Sequence, residues 1–326
     1  MGMAIRDRDA RFSAACEIVR TELTREIRLQ CPRCSATLFS LDCTKCGLSL
    51  WEEHGIIHAL PPARAEHYAQ FISDYERIRA EEGRGSASEE FYAGLPFRDS
   101  SGKNSGQWRI RARTFRHLAD HVLRPEIRSG ERILDLGAGN CWLSFRLALA
   151  GYKPIAVDLL TNNYDGLGAA ENYRSYLPVL FPRFQAELAH LPFQDEQAGA
   201  AIFNASFHYA ESDVAFVREA LRCVRPGGLV IISDTPWYSC DESGRKMVTE
   251  RRRGFLARHG TASSSIESVE FLTDEHLQSL GDQLSIRWEV ISPRYGFRWS
   301  MRPFLAKIRG RREPACFRIY VAGKAQ

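Results

Sequence analysis

The chain has 326 residues, 44% of them hydrophobic and 26% charged, which is ordinary for a globular protein of about two domains and excludes a disordered chain. No run of about 18 apolar residues occurs, and the charged start MGMAIRDRDARF lacks the apolar segment of a secretory signal, so we expect a cytoplasmic protein without a transmembrane helix. The net charge of +4 is uneven, because residues 291–326 hold nine Lys and Arg against one acid, Glu313; the rest is net acidic, which argues against a general nucleic-acid coat.

The first 60 residues predict a short charged helix over 1–27 and then a small metal-binding module. Two Cys-x-x-Cys pairs, Cys31 with Cys34 and Cys43 with Cys46, can each place two thiolates on one ion, and together they complete a tetrahedral sulfur site. Four protein ligands leave no open position, so the spacing favours structural Zn²⁺ over a redox dithiol or an iron. We therefore predict a zinc ribbon within residues 28–60 that the metal helps to fold.

Helices surround a loop in the next part of the chain. After Pro61-Pro62, apolar spacing predicts a helix over 63–82, and the tract GRGSAS at 83–88 ends it. Residues 89–106 are predicted as a loop rich in Gly and Ser, and a second helix is predicted over about 107–123.

From Arg132 onward, short apolar segments alternate with helical stretches. The segments RILDL, KPIAVD, GAAIFN and GLVIISD each end at polar residues, which is typical of a parallel sheet with crossover helices. The last two, WEVIS and CFRIYVAG, lack an ordinary crossover and predict an antiparallel terminal pair.

The turn Asp135-Leu136-Gly137-Ala138-Gly139 joins the first of these strands to a helix. Its glycines permit close approach of the backbone to a ligand, and the helix that follows offers free N–H groups. The next strand ends at Asp158, an offset at which an acid can accept hydrogen bonds from both hydroxyls of a ribose. A dinucleotide site would require glycine at position 142, where this chain has Trp142. The pattern therefore favours S-adenosylmethionine (SAM) over NAD or FAD.

Five segments in order resemble motifs of the class I SAM-dependent methyltransferases, and of the type 11 family in particular. They are LDLGAGNCWLS, AVD at 156–158, ELAHLPF at 187–193, FNASFHYAE at 203–211 and LRCVRPGGLVIISD. Cys141 and Glu187 depart from the usual glycine and aspartate. The resemblance implies an α/β fold with a Rossmann-like, mostly parallel sheet and an antiparallel terminal strand, beside the zinc ribbon. We expect three parts: 1–60 with the ribbon, 61–126 as a helical linker or lid, and 127–326 as the methyltransferase domain.

The same resemblance implies a set of site residues. The methionine part of SAM would lie over the glycines, the ribose on Asp158, the adenine amino group at Glu187 and the sulfonium above Asn204, although a surface carboxylate is the alternative for Glu187. The full cofactor set is Asp135, Gly137, Ala138, Gly139, Asp158, Leu159, Glu187, Leu188 and Asn204.

Candidates for acceptor chemistry follow the fourth and fifth strands. Ser206, His208 and Tyr209 come directly after one strand, and His208 is either a general base or a structural histidine. Asp234, Trp237 and Tyr238 follow the next and either line an acceptor pocket or pack beneath a lid. Tyr68, Tyr75, Trp108 and Arg109 on the two preceding helices are candidate lid contacts.

Arginines and aromatic residues interleave over 294–312, between the last two strands. Four interpretations stay open for this segment: RNA binding, peripheral membrane contact, arginine clamps for an anionic small molecule, or a solvated insertion. The favoured function is methyl transfer from SAM to a small-molecule or lipid-like acceptor. The alternatives are an RNA methyltransferase, since some ribosomal-RNA enzymes also join a zinc module to this fold, and a non-catalytic SAM-binding interaction protein.

Overall fold

A central sheet of nine strands organises the protein, which is described by a computed structural model over residues 26–325. The helix predicted over 1–27 lies, except for its last two residues, outside the described range. The sheet runs in the order β10-β11-β9-β8-β5-β6-β7-β4-β3. Its strands are β3 (Trp51–Glu53), β4 (Ile56–His58), β5 (Arg132–Leu136), β6 (Lys153–Asp158), β7 (Arg183–Gln185), β8 (Ala198–Asn204), β9 (Val224–Ser233), β10 (Glu289–Ile291) and β11 (Ile319–Gly323).

The predicted parallel sheet and its antiparallel terminal strand are confirmed. Strands β5 to β9 pair in parallel, and β11 lies antiparallel to both β9 and β10. Because β5 and β8 are neighbours at the centre, the polar residues that follow them meet at one edge of the sheet. That edge is where α/β sheets bind ligands.

Helices cover both faces of the sheet and bury its apolar side chains in two large clusters. Along the described chain they are α1 (Pro62–Glu81), α2 (Glu89–Gly94), α3 (Ser105–Leu118), α4 (Trp142–Leu149), α5 (Asp213–Cys223), α6 (Asp241–His259), α7 (Asp274–Leu284), α8 (Phe297–Ser300) and α9 (Arg302–Ile308). Helix α3 continues through a π-helical turn, Ala119–Leu123, and a last α turn, Arg124–Glu126. None of the helices within residues 26–325 combines the length and the apolar composition that crossing a bilayer requires.

The loop predicted over 89–106 is wrong for its first six residues, which form α2. Ser88 caps this helix by accepting a hydrogen bond from the Phe91 amide, and Glu89 and Glu90 place acids in its first turn. Both features stabilise a helix N-terminus. Phe91 and Tyr92 are then fully buried, so packing fixes a helix too short for periodicity to reveal.

The N-terminal segment extends the central sheet as well as forming a hairpin. Strands β1 (Leu29–Gln30) and β2 (Thr37–Leu38) pair with each other on either side of the first Cys-x-x-Cys pair, whereas β4 pairs in parallel with β7, Ile56 facing Arg183. The Gln30 amide donates to the Pro192 carbonyl at 3.1 Å. The cysteine module is therefore attached to the sheet through backbone hydrogen bonds.

Candidate active site

The glycine turn after β5 lies tightly against the end of β8. Gly137 and Gly139 have φ angles of 79° and 52°, and the Gly137 amide donates to the Val157 carbonyl of β6 at 2.8 Å. A Cβ atom on Gly137 would lie 2.2 Å from the Cβ of Ser206. Residue 137 must therefore be glycine for two reasons, a left-handed backbone and a steric contact.

A Gly137→Ala variant is expected to lose about 2–4 kcal/mol of folding stability, because the left-handed strain and the clash add together. Adding Ser206→Gly should recover the steric part, leaving the backbone strain. Thermal unfolding of the single and double variants measures both terms. Equal melting temperatures for Gly137→Ala and wild type would contradict this account of the turn.

Two carboxylates flank the turn. Asp158 accepts hydrogen bonds from the Gly139 amide at 2.7 Å and the Leu160 amide at 2.8 Å, and remains partly exposed to a cleft. Burial raises its pKa to about 6. Asp135 is buried, accepts from the backbone amide and hydroxyl of Ser144, and has a pKa raised by burial to about 7. Asp135 thus braces the first turn of α4 while it lines the same cleft.

Glu187 is buried beside this cleft and is paired with the first turn of α1. Its Oε2 accepts from Arg64 Nε at 2.8 Å. The Tyr68 hydroxyl donates to Glu211 at 2.6 Å, and Arg64 also contacts Glu211 at 3.1 Å. This network holds α1 against the loops that follow β7 and β8. Sequence reasoning missed Arg64, because nothing local marks the partner of an acid 123 residues away.

The first cleft has a volume of about 960 Å³ and gathers every residue of the predicted cofactor set. It extends from the glycine turn past Asp158 to Glu187, and Tyr68, Phe71 and Tyr75 of α1 form its opposite wall. Two of the four lid candidates, Tyr68 and Tyr75, therefore line it. Trp108 instead packs in the core, 6.0 Å from the ring of Trp142, and Arg109 is exposed beside a different depression.

A second cleft of about 1190 Å³ adjoins the first, and the three predicted catalytic residues are divided between the two. Ser206 lines only the first cleft and donates its hydroxyl proton to the Leu136 carbonyl, while Tyr209 lines both. His208 lines only the second, and its Nδ1 has no hydrogen-bond partner among the described residues. Burial, together with the nearby charges of Arg251, Arg111 and Arg79, lowers the pKa of His208 to about 3. His208 is therefore neutral at physiological pH.

Asp234 brings a buried carboxyl group into the second cleft. It follows β9 with a φ of 52°, beside Ala205 with a φ of 54° after β8, so both strands end in a strained backbone. Asp234 accepts from the Thr114 hydroxyl at 2.7 Å and from Asn204 Nδ2 at 3.3 Å, and burial raises its pKa. The Thr114 oxygen also lies 2.8 Å from the Tyr295 hydroxyl.

The aromatic residues after Asp234 pack rather than line the cleft. Trp237 is buried and donates from its indole N–H to Asp274 at 2.9 Å, and Tyr238 is 1% exposed. Arg111, which sequence reasoning did not single out, lines both clefts. Its guanidinium lies over the Trp108 ring at 4.8 Å and makes no ion pair within residues 26–325. Only the fold could reveal it, because Arg111 is one of several arginines on α3.

The four paired cysteines converge on one point in the hairpin. Their Sγ atoms all lie within 4.8 Å of one another, with Cys31 and Cys46 at 3.5 Å and Cys34 and Cys43 at 3.6 Å. Sulfurs bound tetrahedrally to zinc at about 2.3 Å are separated by about 3.8 Å, so the cluster fits a zinc ribbon.

Equivalent turns follow the first cysteine of each pair. The Ser35 amide donates to the Cys31 carbonyl at 2.8 Å, and the Gly47 amide donates to the Cys43 carbonyl at 2.9 Å. Ser35 and Gly47 both have left-handed backbones, with φ angles of 57° and 71°. Glycine adopts this conformation without strain at position 47, whereas Ser35 takes it without being glycine.

Comparison with known proteins agrees with this geometry. A family model described as a methyltransferase domain matches residues 134–232. The demethylmenaquinone methyltransferase of Mycobacterium tuberculosis is 26% identical over 190 residues, covering 57% of this chain and 75% of the relative. That of Beutenbergia cavernae is 29% identical over 161 residues, covering 49% and 63%. A solved geranyl diphosphate methyltransferase, in complex with GPP and sinefungin, is 16% identical with a TM-score of 0.49. The match covers 67% of this chain and 79% of that one. This chain therefore contains a type 11 methyltransferase domain and is a SAM-dependent methyltransferase.

Proposed function

We propose that this enzyme transfers the methyl group of SAM to a small-molecule or lipid-like acceptor bound in the second cleft. The observation that carries the proposal is the continuity of the two clefts, which have seven lining residues in common. The shared residues are Phe71, Tyr75, Arg79, Arg111, Ala205, Tyr209 and Ile266. Methyl transfer needs donor and acceptor in line and in contact, and two adjoining clefts provide that arrangement.

SAM is assigned to the first cleft. The glycine turn would lie under its methionine part, Asp158 would accept from the ribose hydroxyls, and Glu187 with Leu188 would face the adenine. Asn204 lies at the inner end of the cleft, next to Asp234. When bound, SAM supplies an electrophilic methyl carbon, and the residues of the chain orient and deprotonate the acceptor.

The second cleft offers an acceptor both apolar surface and polar groups. Phe71, Ile78 and Phe255 supply apolar wall, while His208 and Asp234 supply polar atoms at its inner end. A pKa of about 3 makes His208 a weak base, so its role in the proposal is that of a neutral hydrogen-bond partner, whose Nδ1, unpaired among the described residues, can orient an acceptor hydroxyl or amine. The unpaired Arg111 favours an acceptor that is anionic or becomes so on deprotonation.

Several further assignments belong to the proposal. The ribbon cysteines would hold one structural Zn²⁺, and the division at residues 60 and 126 would separate ribbon, lid and methyltransferase domain in a cytoplasmic protein. Helices α1 and α3 of the middle part supply walls of both clefts, which supports the lid role.

RNA as acceptor gains no support from the relatives reported above, which are named for demethylmenaquinone. The family match favours catalysis over a purely SAM-binding interaction role.

Labelled-methyl transfer tests the function. The purified enzyme is incubated with methyl-labelled SAM and cell extract, which is then separated into RNA, lipid and small-molecule pools. Label in the lipid or small-molecule pool supports the proposal. Label confined to RNA would overturn the acceptor class.

A His208→Ala variant is expected to lose about two- to tenfold in kcat, because the acceptor would lose one orienting hydrogen bond of about 0.5–1.5 kcal/mol. Affinity for SAM should not change, since His208 lines only the second cleft. At saturating SAM, the pH profile of kcat should contain no step near pH 6.5 that His208→Ala removes, because the pKa of His208 is lowered to about 3. His121→Ala, at an exposed histidine on the π turn, is the control. If His208→Ala keeps the kcat of wild type, His208 only packs in the cleft and does not act on the acceptor.

A further inference from the structure

The segment that joins β10 to β11 carries an apolar face that points to solvent. Of the thirteen large hydrophobic side chains exposed within residues 26–325, four lie between residues 297 and 308. Phe297 is 80% exposed, Ile308 66% and Phe304 56%, and Leu305 is the fourth. Such a concentration on a single short segment is characteristic of an interaction surface rather than of scattered surface residues.

These side chains form one stripe along the helices. Met301, Phe304, Leu305 and Ile308 occupy positions i, i+3, i+4 and i+7, and Phe297 precedes Met301 by one turn. At about 100° per residue the four positions fall within an arc of about 100°, the width of a face that normally packs on a core. Here three of the four side chains, Phe304, Leu305 and Ile308, remain exposed, and only Met301 is partly buried.

Unpaired cations flank the stripe. Residues 294–312 contain seven Lys and Arg and no acid. Arg312 pairs with Glu250, and Arg302 is held by the Ala315 carbonyl and the Trp299 ring. The other five make no ion pair with any residue in the part of the chain that the structure describes: Arg294, Arg298, Lys307, Arg309 and Arg311. Long cationic side chains beside an apolar stripe can reach phosphate groups while the stripe enters hydrocarbon.

The inner side of the segment is attached next to the second cleft. The Tyr295 hydroxyl contacts Thr114, which holds Asp234, and the Trp299 ring lies 5.9 Å from the ring of Phe317. Phe317 lines the second cleft. The exposed stripe is therefore fixed beside that cleft, with its inner face already used in packing.

We propose that the stripe and its flanking cations, residues 294–311, bind the surface of a membrane that contains anionic lipids. The occupant is a bilayer rather than RNA, because exposed phenylalanine and isoleucine side chains gain from burial in hydrocarbon and RNA offers none. A bilayer contact here would bring the second cleft to the lipid surface. The inference goes beyond the proposed function, since lipid binding can be measured without SAM or an acceptor.

Vesicle sedimentation of the full chain tests the proposal. Vesicles of phosphatidylcholine, with and without phosphatidylglycerol, are pelleted with wild type, and we expect binding to the anionic vesicles that weakens as salt is raised. The double variant Phe304→Ser/Ile308→Ser should bind up to about a hundredfold more weakly, since each lost side chain costs roughly tenfold. Arg309→Gln/Arg311→Gln should lose about fivefold per charge on anionic vesicles alone.

Phe39→Ser is the matched control, because Phe39 is 98% exposed but lies on the cysteine hairpin. It should sediment like wild type. All variants should have the melting temperature of wild type. If Phe304→Ser/Ile308→Ser melts earlier, the proposal is judged on Arg309→Gln/Arg311→Gln instead. Wild type that stays in the supernatant with anionic vesicles would overturn the proposal, as would a Phe304→Ser/Ile308→Ser variant that pellets unchanged. If wild type does not bind the vesicles but shifts RNA in a gel-mobility assay, the surface binds nucleic acid and the membrane proposal is wrong.

Discussion

A Cys43→Ser variant is expected to bind no zinc and to lose at least about 4 kcal/mol of folding stability. The four cysteine sulfurs fit one tetrahedral ion, and each removed thiolate leaves the other three without a complete site. The hairpin buries few apolar side chains of its own, so the metal must supply much of its stability. The loss should extend to the sheet, because the hairpin is hydrogen-bonded to the loop before β8 through Gln30 and Pro192.

Elemental analysis and calorimetry measure this effect. Purified wild type should contain about one zinc per chain, and a chelator should lower its melting temperature toward that of Cys43→Ser. Cys240→Ser is the matched control, because Cys240 is an exposed cysteine at the start of α6 and outside the cluster. Wild type without zinc, together with an unchanged melting temperature in Cys43→Ser, would disprove the ribbon.

An Asp158→Ala variant is expected to bind SAM about a hundredfold more weakly. Two hydrogen bonds to a charged acceptor are lost; at about 1.5 kcal/mol each, the lower end of the usual range, they sum to about 3 kcal/mol, slightly more than a hundredfold. The Gly139 and Leu160 amides also lose their acceptor, which loosens the turn. Asp158→Asn keeps the shape and one acceptor, so its loss should be smaller, about tenfold.

Titration calorimetry with S-adenosylhomocysteine checks the affinities. The control is Glu196→Ala, an exposed acid before β8 at the opposite edge of the sheet, which should bind like wild type. The pH dependence gives a second test. Burial raises the pKa of Asp158 to about 6, and only its ionised form accepts from both hydroxyls, so affinity should be highest above that pH and fall below it. Asp158→Asn should remove this dependence of affinity on pH. If the dependence is unchanged in Asp158→Asn, another group titrates in this range.

The cofactor cleft was largely predictable from sequence, for a reason that lies in parallel sheets. Strands β5, β6 and β8 are apolar segments with clear ends, and the residues after each parallel strand meet at one edge. Gly137, Asp158 and Asn204 are therefore brought together by a rule that needs no knowledge of side-chain packing. The same rule brings Asp234, after β9, beside Asn204, after β8.

What the sequence did not reveal depends on contacts between distant segments. Thr114, Asp234 and Tyr295 form one hydrogen-bonded chain, although they lie on α3, after β9 and before α8. Arg64 pairs with Glu187 across 123 residues. Strands β4 and β7 are three residues each, too short for periodicity, and exist because they pair with each other. Local patterns carry no record of such partners.

The pairing of β4 with β7 also determines what the protein presents to its neighbours. Without it, β7 would be the open edge of a largely apolar parallel sheet, with free N–H and C=O groups that could join a strand from another molecule. The antiparallel pair β3–β4 covers that edge, so the last strand on this side of the sheet is β3. There the chain ends the sheet with three exposed residues, two of them Glu52 and Glu53. A short strand with two acidic residues discourages edge-to-edge aggregation, so the segment that follows the cysteine cluster also protects the exposed edge of the sheet.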